Sequence, residues 1–252
     1  NVITHSYDTT GDLGLALGGA TTTHDAGVTA STLLGNQTVY ALRSNANIAL
    51  GGFTLNVGAA NSATLGQAGM ILNAGADISG GTINFGTNAL SVYTDDAAVS
   101  TIGAPITNFR NNVNNTLVTS LIKYGPGTLE LSGANTFQGH VQVNQGTLSL
   151  TAANVMPTFG NLNAVTGSIV TIQPGATILL NNHNQEFGNL AGANQGADFQ
   201  FSGGTLNLGT ATLTVGRESS SQTFTGQLVG GAGSKLVKVG TAAAYQPPEQ
   251  LA

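Results

Sequence analysis

The chain has 252 residues, a formal net charge of −5, 7% charged residues, 40% apolar residues, 36 glycines and no cysteine. The apolar residues alternate too regularly for a disordered chain, no apolar run approaches the roughly 18 residues of a spanning helix, and the acidic balance argues against nucleic acid as a partner. With 6% aromatics and no Trp the chain lacks the girdles of a transmembrane barrel, and without Cys it has no disulfide framework.

Surface polarity therefore comes from Asn, Thr, Ser and Gln, which compete with the backbone in helices and suit strand faces and turns. The start, Asn1-Val2-Ile3-Thr4-His5, has neither the basic nor the apolar region of a signal peptide. An exported protein would be represented here by a mature or excised piece. The absence of Cys is compatible with export through an oxidising compartment. Residues 1–35 are the least regular: Gly11 to Gly19 alternates weakly and then breaks into Thr and Gly. They are expected to form an irregular N-terminal coil or cap. From Asn36 the alternation steadies. Strands are predicted over Gln37–Leu42, Ala46–Leu50, Phe53–Gly58, Gly69–Asn73, Ala76–Ser79, Gly81–Gly86 and Ala89–Tyr93, with Gly or Asn in most gaps. No segment holds a helical period over three turns.

The chain also repeats itself. Ile78–Val92 (ISGGTINFGTNALSV) overlays Phe201–Val215 (FSGGTLNLGTATLTV) with nine of fifteen positions identical, at an offset of 123 residues. Leu121–Gly125 (LIKYG) overlays Leu236–Gly240 (LVKVG) at an offset of 115. The difference is assigned to a polar insertion near Asn108–Thr119, which a surface loop absorbs at little cost. Such internal repetition is the mark of a solenoid. A β-helix is expected over 36–241, in two tandem units of about 36–150 and 151–241. In 242–252 the consecutive prolines Pro247 and Pro248 cannot join a ladder, so this stretch is read as a linker or a non-native tail.

The most informative stretch is Ser120–Leu150. It holds two runs of the form Gly-Thr-Leu-x-Leu, at Gly127–Leu131 and Gly146–Leu150, separated by a turn-rich segment and the alternating His140-Val141-Gln142-Val143. Leu129, Leu131, Leu148 and Leu150 share one parity, so they point to one side of their strands. One coil of short strands cannot bury that side alone. Stacked coils pair their backbones about 4.8 Å apart and turn the apolar ladders inward. The predicted fold is all-β, a single-stranded parallel β-helix (β-solenoid) of about ten to twelve coils and roughly 50 to 60 Å long. An antiparallel sandwich or barrel, or two tandem sandwiches divided near Thr151, is the rival architecture.

Ile122–Leu150 resembles the passenger-associated repeat of bacterial autotransporters. Lys123, Gly125, Gly127, Thr128, Leu129, Leu131, Ser132, Gly133, Asn135, Thr136, Phe137, Gly139, Val141, Val143, Asn144, Gly146, Thr147 and Leu148 match its pattern, and His140 stands where a small residue is common. The resemblance implies that the β-helix is right-handed and is exposed on, or released from, the bacterial cell surface. It implies membrane attachment only through a C-terminal barrel that the present sequence does not contain.

Residues with catalytic potential are few. Asp95 and Asp96 are the weak candidates for the carboxylate pair of a polysaccharide-cleaving β-helix; the simpler reading is a solvated turn. His5, His24, His140 and His183 show no metal-ligand spacing. Gly230–Lys235 lacks the helix a phosphate loop needs and reads as a coil turn. The Asn-rich runs 111–115 and 181–185 read as corners or polar loops, with sugar contact as their functional alternative, and Tyr40, Tyr93 and Tyr124 are the aromatics that would stack on sugar. The expectation is a structural or adhesive segment of a secreted surface protein, a rigid stalk presenting loops, with no catalysis, cofactor or metal. The alternatives are a polysaccharide-binding or -cleaving β-helix and a self-assembling filament or surface-layer protomer. Expected partners are other copies or neighbouring repeats, through open ends, and host-surface or matrix glycans.

Overall fold

The computed structural model describes residues 7–8, 23–25, 30–58, 67–86, 88–95, 98–108, 119–157, 169–192, 203–217 and 222–240. Every strand pair among them is parallel. The strands stack into faces that recur in fixed order along the chain, which is a parallel β-helix and not a sandwich of antiparallel sheets. The first face has nine rungs, from Tyr7–Asp8 through Ala89–Thr94 and Thr119–Tyr124 to Asn189–Gly192. The second face also has nine, from Ser31–Thr32 through Thr128–Leu131 and Thr147–Leu150 to Gln227–Val229. Because the first face starts a coil earlier and the second ends a coil later, the described rungs define ten coils.

The third face comes in two stacks. Gln37–Val39, Thr54–Val57, Thr82–Asn84 and Ile106–Thr107 form one, and Gln185–Phe187, Thr212–Val215 and Lys235–Lys238 form the other. Predicted strand Gln37–Leu42 is divided: Gln37–Val39 lies on the third face and Ala41–Ser44 on the first, with Tyr40 at the corner between them. Alternation alone does not show such a corner, because inward residues continue on both sides of the bend.

Inward residues stack coil on coil. Leu129, Leu148, Ile178 and Leu206 are neighbours down the second face, and all are fully buried. The first face carries Leu42, Met70, Val92, Lys123, Val143 and Ile172 in one inward column. A lysine thus occupies one rung of an apolar ladder. Phe137 packs near Phe85, their ring centroids 6.4 Å apart, and both are buried.

The internal repeat has an unexpected phase. Ile83 lies on the third face and Leu90 on the first, whereas their counterparts Leu206 and Leu213 lie on the second and third. Lys123 lies near the end of a first-face strand, and its counterpart Lys238 ends a third-face strand. Both overlays shift by one face in the same direction. The repeated unit is therefore strand, corner, strand, and not a whole coil. The polar insertion near Asn108–Thr119 and the tail 242–252 fall mainly or wholly outside the described residues.

Candidate functional site

The repeat stretch 120–150 was the sequence's best candidate, and its side chains are spent on joining coils. Leu121 and Lys123 share a parity in Thr119–Tyr124, so Lys123 points inward and is fully buried. Its Nζ donates to the carbonyls of Tyr124 (2.7 Å), Gly125 (2.8 Å) and, in the next coil, Gln145 (3.2 Å). An ammonium has three donors, and all three are used. Burial pulls the Lys123 pKa down from 10.5 to about 8. Gly125, at φ +79°, turns its carbonyl toward Nζ. Lys238 makes the same bonds to the carbonyls of Val239 and Gly240, and Gly240 also has positive φ. Lys-x-Gly is thus a local corner lock, to which Lys123 adds a bond into the following coil.

The motif glycines sit where two coils touch. A Cβ on Gly127 would fall on the Asp95 carbonyl oxygen of the coil before. One on Gly146 would lie 2.5 Å from both the Gly125 and the Gly127 carbonyl oxygens, and one on Gly133 would lie 2.7 Å from that of Ala104. Gly139 is at φ +112°, just before the strand that starts at His140. Thr128 and Thr147 pair across coils with their side chains half-buried, and Leu131 pairs with buried Leu150.

Asn135 explains how the third face survives its missing strands. Its Oδ1 accepts the Ile106 N–H (2.8 Å) and its Nδ2 donates to the Val155 carbonyl (2.9 Å). Two coils on, Gln185 Oε1 accepts the Met156 N–H and its Nε2 donates to the Ala152 carbonyl. Two buried amides stand in for ladder bonds and connect the two third-face stacks. Asn135→Ala is expected to cost about 2 to 3 kcal/mol, because it leaves a buried N–H and a buried C=O unpaired. Urea unfolding followed by circular dichroism measures this, and a change below about 0.5 kcal/mol contradicts the bridging role.

The remaining candidates are dispersed. Asp95 Oδ1 accepts the Ala74 N–H across coils, a structural bond at a turn; Asp96 lies outside the described residues. Asn181 and Asn182 both have positive φ. Asn181 donates to Ser149 Oγ and to the Leu150 carbonyl, Asn182 accepts from Thr210, and Asn184 accepts from Thr212. This Asn run is a corner that brackets three coils, while the run 111–115 lies outside the described residues. His140 Nδ1 accepts the Ile169 N–H (3.1 Å). Among the described residues no group of three or more His, Cys, Asp or Glu is placed to share a metal ion. No helix among them is long and apolar enough to cross a membrane. Sequence reasoning did not foresee the interior placement of Lys123 or the bridging by Gln185; parity with Leu121 was the signal for the first.

Residues 121–150 match the family model of the passenger-associated-transport-repeat. A stretch of 108 residues, 42% of this chain, is 37% identical to a protein named adhesin BmaC autotransporter from Brucella suis biovar 1 (strain 1330). The matched stretch spans only 3% of that protein's length. No solved structure matches the chain. Residues 121–150 are therefore an autotransporter passenger repeat, carried on a parallel β-helix.

Proposed function

We propose that this chain is a length of β-helical stalk from a secreted bacterial surface adhesin of the autotransporter type, in which the helix supports and displays adhesive loops and performs no catalysis. One observation carries the reading. Within the residues that match the passenger repeat, Lys123, Gly127, Asn135 and Gly146 are each committed to the junction between one coil and the next. A motif used up in stacking builds length and stiffness, since each coil contacts only its neighbours. The similarity to an adhesin-named autotransporter supports the surface location and the adhesive role.

The test is display. Residues 1–252 fused to an autotransporter barrel in an outer membrane are expected to reach the cell surface, to be cleaved by added protease, and to raise attachment of the bacteria to cultured epithelial cells above that of the barrel alone. Segments that stay inside the cell, or that reach the surface without raising attachment, overturn the reading.

A further inference from the structure

We infer that the outer side of the first face carries a binding ridge for neutral polysaccharide, centred on Tyr93 and Tyr124. The inference deepens the adhesive reading and rests on it for its biological setting, but its chemistry is independent. The two tyrosines are direct partners in adjacent coils, so their side chains leave the sheet on the same side, about 4.8 Å apart at the backbone. Ile71 is the next rung on one side. Exposure is 40% for Ile71, 42% for Tyr93 and 41% for Tyr124, on a face whose inward residues are fully buried. On the other side of Tyr124 the column passes to Asn144, which follows Val143, the partner of Lys123.

The column two residues earlier in each strand is low beside Ile71 and Tyr93 and rises at Ile122 beside Tyr124. It runs Gly69, Ser91, Ile122, Gln142, and the space above Gly69 is open except for the Ala41 methyl. Gln142 Nε2 donates to Asn144 Oδ1 (2.7 Å), which fixes two amides at one end of the ridge. A shelf with aromatic faces along it and amides at its end suits a pyranose. The C–H face of the sugar packs on the apolar ring, and the hydroxyls meet groups that both donate and accept.

The observations favour sugar over a second copy of the chain. Three partly exposed side chains offer far less than the roughly 800 Å² per partner of a stable protein interface. The tyrosine and amide rungs at the centre of the ridge carry no charge, which suits a neutral polymer; the first charged side chain of the column is Arg43, one rung beyond Ile71.

Purified residues 1–252 titrated with the hexasaccharides of β-1,4-glucose, β-1,4-N-acetylglucosamine and α-1,4-glucose test the ridge. The chain has no Trp, so tyrosine emission is read directly, with saturation-transfer NMR as the second measure. At least one hexasaccharide is expected to bind with a Kd below about 1 mM. Tyr93→Ala with Tyr124→Ala is expected to weaken that binding about tenfold or more, with the circular dichroism spectrum unchanged. Gln142→Ala, at the amide end, is expected to weaken it several-fold and serves if the double variant does not fold. Absence of binding by all three sugars, or variants that bind as the parent does, overturns the proposal. Concentration-dependent dimers that vanish in the double variant also overturn it, because they assign the ridge to self-association. Displayed cells that attach equally well with and without the tyrosines would take the ridge out of attachment and leave the adhesive stalk standing. Sugar binding by a segment that gives no attachment would do the reverse.

Discussion

Gly127→Ala is expected to lower unfolding stability by about 4 kcal/mol or more and to disrupt the coils on either side. The added methyl falls on the Asp95 carbonyl oxygen, and both groups belong to backbone pinned by neighbouring rungs. No rotamer change relieves the overlap; one coil has to move away from the next, and the inward ladders separate with it. Gly175→Ala is the control. Its φ is positive (+79°), which that of Gly127 is not, and nothing lies within 4 Å of its Cβ position, so it should cost only the local backbone strain, on the order of 1 kcal/mol. Urea unfolding of the two variants separates coil contact from backbone conformation. A Gly127→Ala protein as stable as the Gly175→Ala protein contradicts the stacking geometry.

Lys123→Met is expected to lose about 3 kcal/mol. Methionine fills much of the space of the lysine stem, but the carbonyls of Tyr124, Gly125 and Gln145 lose the donor that reaches them. Leaving buried acceptors unpaired outweighs the relief of not burying a charge, because an apolar replacement is neutral only when the partners are replaced as well. The pH dependence has a defined sign. The folded pKa is about 8, below 10.5, so between these values the unfolded chain holds a proton that the folded chain has released. Stability from this group then rises with pH across that window and falls as pH drops through about 8. Methionine exchanges no proton, so the gap between the parent and Lys123→Met should widen from pH 8 to pH 10.5. Urea midpoints at both pH values measure it, and a gap that narrows over this range contradicts the assignment.

Much of this architecture was readable in advance. Gly-Thr-Leu-x-Leu at 127–131 and 146–150 placed four leucines on one side of two strands, and the structure buries all four. The short spacing of the two runs matches one coil, since Leu129 pairs with Leu148. Other features depend on which coil lies alongside, which period-two alternation does not encode. Asn135 joins Ile106 and Val155, 29 and 20 residues away. Gln185 bonds groups 29 and 33 residues back. The 123-residue repeat was legible as a repeat, but not its phase, because the insertions between coils hide how many faces separate the two copies. The tyrosine ridge was half visible: Tyr93 and Tyr124 were named as sugar-stacking candidates, and only the register shows that they are neighbours.

The one-face shift between the two copies bears on presentation. In a helix with three faces, a unit that recurs one face out of step projects its corner at a different azimuth about the axis. Like corners, and any segments grown from them, then point around the rod as well as along it. With two copies one face apart, like corners leave the rod in two directions about its axis and not in one.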